Sequence, residues 1–191
     1  MIEGIRLVSD ALQAGAAFAL ILYDPARMTA SPIAAALMEQ LPAEVAYAAD
    51  ERVVAAASDT ATPQGIVAAV KQFPPRPIGA GLVLIVDGLQ DPGNLGTIIR
   101  SAAAAEAGAV VTTEGTADVF GPKTVRAGMG AHFRVGLYPD QPWPNVEELL
   151  RDRSLLLAVP RGGRPYWAID WTRPSGLIIG VVADRPLVVF C

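Results

Sequence analysis

The sequence predicts an α/β protein in two parts, a small N-terminal α/β domain followed by a mostly parallel α/β domain. Three observations carry this reading. Strand-like and helix-like patterns alternate along most of the 191 residues. The stretch Phe73-Pro74-Pro75-Arg76-Pro77-Ile78-Gly79-Ala80-Gly81 is the strongest punctuation in the chain. Directly after it, residues 82–86 form an uninterrupted apolar run, as expected of a strand covered on both faces of a parallel sheet. The expected division is a first domain at 1–74, a linker at 75–80 and a second domain at 81–191.

In the first domain, residues 5–14 read as a helix, 18–23 as a strand, 33–40 as a helix and 45–47 as a short strand. Asp50 then reads as the N-cap of a helix through Ala57. Phe18, Tyr23 and Tyr47 are expected in the core. In the second domain the strand candidates are 82–86, 109–113, 133–137, 155–159 and 177–181, with helical patterns at 97–107, 122–129 and 145–151. Parallel sheets of this kind bind ligands beyond the C-terminal ends of their strands, and the corner at 87–97 occupies such a position. Trp143, Trp167 and Trp171 also fall in this part, where core packing or a dimer interface is the expected use of a tryptophan.

Composition excludes several classes. A hydrophobic content of 52% is enough for a buried core, so a disordered chain is not expected. The single cysteine, Cys191, cannot form an internal disulfide framework, and the simplest expectation is a reducing, cytoplasmic setting. No segment approaches the roughly 18 apolar residues of a membrane span, and the first residues lack the basic and apolar regions of a signal peptide. A net charge of −4 argues against a nonspecific nucleic-acid coat. Charge is unevenly spread, however: between Asp118 and Asp140 there is no acid, while Lys123, Arg126, His132 and Arg134 are present. From Arg151 onward arginines outnumber acids. A basic face on an acidic protein and ordinary solvated surface both fit this pattern.

The corner excludes further chemistry. Gly93 and Gly96 are not followed by the Lys of a phosphate-binding loop, and the G-x-G-x-x-G dinucleotide fingerprint is absent. One histidine and one cysteine cannot build a zinc site, so no metal is expected, and there is no G-x-S-x-G elbow. What remains is a polar loop presenting Asn94 and Arg100. With Gly96-Thr97 as the expected helix start, Arg100 falls in or near the first turn, where the helix dipole disfavours a cation. A guanidinium suits a phosphate or a developing oxyanion, and an amide can orient a hydroxyl, which makes an RNA-backbone site one reading. A turn asparagine and a surface arginine are the other.

The run from Asp87 to Ala102, Asp87-Gly88-Leu89-Gln90-Asp91-Pro92-Gly93-Asn94-Leu95-Gly96-Thr97-Ile98-Ile99-Arg100-Ser101-Ala102, closely resembles the first signature motif of the SpoU-like RNA ribose 2′-O-methyltransferases of the SPOUT class. Residues 118–135 resemble the segment that follows the family's second strand, and residues 7–14 and 58–68 resemble parts of its N-terminal substrate-binding domain. The resemblance covers residues 3 to about 180. It implies a SPOUT-type second domain with a C-terminal trefoil knot and an RNA substrate-binding first domain. The implied activity is transfer of a methyl group from S-adenosyl-L-methionine to a ribose 2′-hydroxyl of structured rRNA or tRNA, by a homodimer. It carries the catalytic roles to Asn94 and Arg100. Lys123 and Arg126 become RNA-backbone contacts, with a helix face paired to carboxylates as the alternative. Val159, Pro160 and Gly180 become cofactor contacts.

The resemblance breaks after Gly180. The family continues into a small residue and a Glu, then later an Asn-Val-Ser-like motif, whereas this sequence has Val181-Val182-Ala183-Asp184-Arg185-Pro186 and ends at Cys191. That departure predicts weakened cofactor binding and an incomplete knot, with a replaced end, as from a frameshift, as one explanation. The run 187–190 reads as an apolar edge strand. The alternatives are a non-catalytic RNA-binding or dimerisation protein derived from such an enzyme and, from periodicity alone, an unrelated α/β small-molecule domain.

Overall fold

The computed structural model describes residues 1–72, 74, 76–180 and 188–190, the last three by backbone only. The chain divides into two units, Met1–Pro74 and Pro75–Cys191.

The first unit contains β1 (Ile2–Glu3), α1 (Ile5–Gln13), β2 (Phe18–Tyr23), α2 (Pro25–Thr29), α3 (Pro32–Met38), β3 (Ala46–Ala48), α4 (Glu51–Ala57) and β4 (Ile66–Val70). Its sheet has the order β1-β4-β2-β3, antiparallel except for the β2–β3 pair. Three elements were not expected from the pattern: β1 and β4 are short, and α2 is a single capped turn. Pro25 stands at the start of α2, where no backbone N–H is needed, and the Asp24 carboxylate accepts from the Ala26 N–H at 2.9 Å. Asp50 caps α4 as expected, accepting from the Arg52 N–H at 2.8 Å. The core joins Val8 and Ala11 of α1 to Ile21, Met28, Leu37, Val54 and Ile66. Tyr47 departs from expectation: it lies on the edge strand β3 and is 54% exposed.

The second unit contains β5 (Leu82–Asp87), α5 (Pro92–Ala104), β6 (Ala109–Thr113), α6 (Pro122–Gly128), β7 (Gly136–Gln141), α7 (Trp143–Leu149), β8 (Ser154–Ala158), β9 (Ser175–Gly180) and β10 (Val188–Phe190). All neighbouring strands are parallel, in the order β10-β8-β9-β5-β6-β7. The apolar runs of β5 and β6 are buried on both faces, with alternate residues serving separate cores. Leu84, Val86 and Val110 pack with Leu95, Ile99 and Ala102 of α5. Val83, Ile85, Ala109 and Val111 pack with Val146, Leu150 and Ile178. This is a three-layer arrangement with α5 and α7 on opposite faces.

The expected strand at 133–137 lies three residues further on, in β7. Met129 and Gly130 both have positive φ and break the chain's direction, so Ala131–Phe133 closes as a 3-10 turn that is buried without being a strand. The helix expected at 145–151 begins at Trp143 instead, because Pro144 fits its first turn. The segment before β5 is bound to the second unit. Arg76 donates to the carbonyls of Phe133 and Arg134, the Tyr138 hydroxyl donates to the Arg76 carbonyl, and Arg153 donates to the carbonyls of Gly79 and Gly81. Val188–Phe190 adds β10 at the sheet edge beside β8, in accord with the edge strand expected there. Residues 181–187 and Cys191, where the sequence departs from the family pattern, lie outside the described residues, as does the closure of a knot through them. No described helix is long and apolar enough to cross a membrane.

Candidate RNA and cofactor site

The corner differs from the sequence expectation in a way that changes its electrostatics. α5 begins at Pro92, four residues before the expected start, with Asp91 as its N-cap accepting from the Asn94 N–H at 2.7 Å. Pro92, Gly93 and Asn94 read as a turn in sequence. They serve as well in a first helical turn, where N–H groups have no intrahelical partner and proline's fixed φ is already helical. Arg100 therefore lies in the third turn, not the first. The helix dipole no longer makes it anomalous, since that effect fades within one turn.

Asn94 and Arg100 are both exposed on α5. Six residues apart, they lie about 9 Å apart along the axis and about 120° apart around it. Helical side chains lean toward the N-terminus, which turns the long Arg100 stem back toward the Asn94 end. The Asn94 carboxamide makes no hydrogen bond among the described residues. The Arg100 guanidinium reaches α6, where Nη1 lies 2.9 Å from Met129 Sδ. Thioether sulfur is a weak acceptor, so this contact positions the guanidinium while leaving its planar fork available to a stronger one. Met129 itself is held at φ 46° at the end of α6 and is 46% exposed.

The closeness of α5 and α6 depends on Gly96. A Cβ added there would lie 2.6 Å from Ala127 Cβ and 2.9 Å from the Gly128 nitrogen. The same approach brings Lys123, at the start of α6, to the start of α5, where its Nζ lies 3.9 Å from Asp91 Oδ2. The pair is exposed and weak, so Lys123 can exchange it for a phosphate at little cost. Arg126 is half-buried in the last turn of α6 and is engaged within the chain. The carboxylate-paired alternative is thus realised in part for Lys123.

Beneath α6, His132 is buried with its ring 6.4 Å from that of Phe120. Its Nε2 lies 2.7 Å from the Val119 carbonyl, which can only accept, so Nε2 carries the proton. Nδ1 is buried with no hydrogen-bond partner among the described residues. Burial pushes the His132 pKa down against the opposing hydrogen bond to Val119 and keeps the ring neutral.

Val159, Pro160 and Gly180 stand at the C-terminal ends of β8 and β9, the edge from which the chain also leaves β5 for α5. Gly180 pairs with Asp87 at φ +145°, so close that an added Cβ would lie 2.8 Å from the Asp87 carbonyl carbon. Continuing the β8–β9 register two steps past Leu157 opposite Ile178 places Val159 level with Gly180. Asp87 adds a carboxylate that sequence reading had left inside the motif without a role. Its Oδ1 accepts from the Thr113 hydroxyl at 2.6 Å and from Trp143 Nε1 at 3.2 Å. One signal pointed to it, a charged residue closing an otherwise apolar parallel strand. Its partners, 26 and 56 positions away, gave none. Trp143 thus joins the edge as well as the core. The described residues contain no group of three or more His, Cys, Asp and Glu suited to a metal ion.

Residues 81–181 match the SpoU rRNA methylase family, and residues 1–68 match the MRM3-like substrate binding domain. The chain is 35% identical to the Bacillus subtilis 23S rRNA (guanosine(2553)-2′-O)-methyltransferase RlmP, over 94% of this chain and 70% of that protein. It is 37% identical to the human mitochondrial rRNA methyltransferase 3, over 78% of this chain and 37% of the relative, so it spans little more than a third of the mitochondrial protein. Among solved structures, the SpoU methyltransferase AviRb of Streptomyces viridochromogenes superposes with TM-score 0.81 at 25% identity, covering 94% of this chain and 70% of that one. The same enzyme in complex with AdoMet superposes with TM-score 0.80 at 26% identity, covering 94% and 72%. With the family match spanning the corner, the strands β5 to β9 and the glycine at the end of β9, this chain belongs to the SpoU rRNA methylase family.

Proposed function

We propose that this chain transfers the methyl group of S-adenosyl-L-methionine to a ribose 2′-hydroxyl of structured rRNA. The observation that supports it most directly is the SpoU family match over residues 81–181, which spans the helix carrying Asn94 and Arg100 as well as the β8–β9 strand ends. tRNA is the other substrate class the sequence motif allows. A homodimer in a cytoplasmic setting completes the reading, although the relatives include mitochondrial as well as bacterial proteins.

The edge is suited to the cofactor. Backbone groups at Val159 and Pro160 offer a donor and acceptors to an adenosyl group, Gly180 lets β9 close onto Asp87 beside them, and Asp87 Oδ2 lies outside the bonds made by Oδ1. When bound, the cofactor supplies an electrophilic methyl group on a sulfonium. A guanidinium is a poor general base, so Arg100 serves in another way. Its fork clamps the phosphate next to the reacting ribose and stabilises the alkoxide as it develops, while solvent water takes the hydroxyl proton. The Asn94 carboxamide orients the hydroxyl for in-line attack. Lys123 and Arg126 hold the RNA backbone without reading sequence.

Calorimetry with S-adenosyl-L-methionine, followed by methyl transfer from tritiated cofactor to ribosomal RNA, tests this. The expected result is cofactor binding, with transfer lost by about 100-fold or more in Arg100→Ala while cofactor affinity holds. Absence of cofactor binding would favour a non-catalytic RNA-binding protein, the second reading raised by the sequence at 181–184.

A further inference from the structure

The segment joining β8 to β9, residues 159–174, crosses back without an α-helix and is organised by bonds of its own. Tyr166–Ala168 forms a 3-10 turn, and Trp171 Nε1 donates to the Tyr166 carbonyl at 2.8 Å. Asp170 accepts from the Thr172 N–H at 3.1 Å and pairs with Arg173 Nε, also at 3.1 Å. On this frame two neighbouring aromatic side chains face solvent. Trp167 is 75% exposed and Tyr166 is 59% exposed. Their rings meet edge to face, 5.2 Å apart at 82°. That arrangement gives each ring a fixed orientation, and the exposure of Trp167 leaves room for a planar group to stack on it.

Along this segment the charge that is not already paired is positive. No acid occurs from Arg153 through Ile169, Arg161 and Arg164 are exposed, and Asp170 is already paired to Arg173. An apolar protein partner has nothing to match this arginine pair. A second copy docking through the same surface would set Arg161 and Arg164 against themselves. A polyanion with flat, unpaired bases matches both features, since aromatic stacking tolerates any base and arginines track the backbone.

We propose that residues 161–167 form a single-stranded RNA contact, with Trp167 stacking on an unpaired base and Arg161 and Arg164 on neighbouring phosphates. The proposal rests on the reading that the substrate is RNA, and it adds a contact outside the Asn94–Arg100 corner. Such a contact would select targets in loops or bulges, where a base can leave its helix.

The test is fluorescence anisotropy of the full chain with a fluorescein-labelled, mixed-sequence, single-stranded RNA dodecamer, read across a salt series. Trp167→Ala should weaken binding roughly tenfold and Trp167→Phe should restore most of it, because stacking needs a ring and not an indole. The double change Arg161→Ala with Arg164→Ala should reduce the salt slope by about 1.4, two phosphate contacts' worth for a single strand. Binding of Trp167→Ala within twofold of the parent overturns the proposal, as does a parent that does not bind the dodecamer. So does a shift from dimer to monomer in sedimentation with RNA affinity unchanged, which would assign the loop to a protein contact. A parent that binds RNA through Trp167 yet transfers no methyl group leaves this contact standing and removes the enzymatic reading. A parent that methylates RNA, with Trp167→Ala equal to it in affinity and KM, does the reverse.

Discussion

Replacing Gly96 by alanine opposes two effects of different sign. Ala favours a helix interior over Gly by about 1 kcal/mol, so propensity alone makes the variant more stable. The added Cβ, however, meets Ala127 Cβ at 2.6 Å and the Gly128 nitrogen at 2.9 Å, and it also meets the Thr124 carbonyl oxygen. Two of these three are backbone atoms, which cannot turn away as a side chain can. Restoring ordinary contact requires α5 and α6 to part by about 1 Å, the kind of overpacking that costs up to about 3 kcal/mol. The net expectation is a loss of about 2 kcal/mol, or roughly 4–8 °C in Tm. Urea unfolding followed by circular dichroism reads it as a lower midpoint at unchanged slope. The same parting would pull Met129 from Arg100 and Lys123 from Asp91, so RNA affinity should fall with stability. An unchanged or raised midpoint would refute the reasoning, since it would mean the helices are not held together at Gly96.

Three further outcomes follow from the same contacts. Asp91→Ala removes the cap on the Asn94 N–H and should cost about 1 kcal/mol in urea unfolding, nearly all from the cap, because the exposed Lys123 pair contributes little. Asp87→Ala strands the Thr113 hydroxyl, which is only 2% exposed, and should cost about 1–3 kcal/mol, whereas Asp87→Asn keeps an acceptor and should cost less. His132 makes stability depend on pH. Its folded pKa is depressed from 6.5, so the unfolded chain takes up a proton below that pH which the folded chain refuses. Its contribution is complete above about pH 6.5 and is lost as pH falls toward the lowered value, with a slope of at most about 1.4 kcal/mol per pH unit. His132→Gln should flatten that part of a chemical-denaturation series from pH 7.5 to 5, and a slope identical to the parent's would show that another group is responsible.

Local pattern was enough for much of this protein. The apolar run at 82–86 read as a strand buried on both faces, Asp50 read as the N-cap of a helix, and the motif from Asp87 to Ala102 carried the family. These features depend on neighbours in sequence, whose backbone preferences and solvation act wherever the chain goes. Pro92-Gly93-Asn94 did not yield to such reading, because the same residues satisfy a turn and a first helical turn equally. Packing of Leu95 and Ile99 against β5 and β6 decided between them and moved Arg100 out of the first turn. The 3-10 turn at Ala131–Phe133 was hidden for a related reason, since its apolar residues are buried but their direction is set by left-handed backbone at Met129 and Gly130. The contacts that make a site were the least legible of all. Arg100 to Met129, Asp87 to Thr113 and Trp143, and Gly180 against Asp87 each join residues dozens of positions apart. Sequence determined which groups this chain possesses. Only the parallel sheet, by carrying the ends of β5, β8 and β9 to one edge, decided which of them meet.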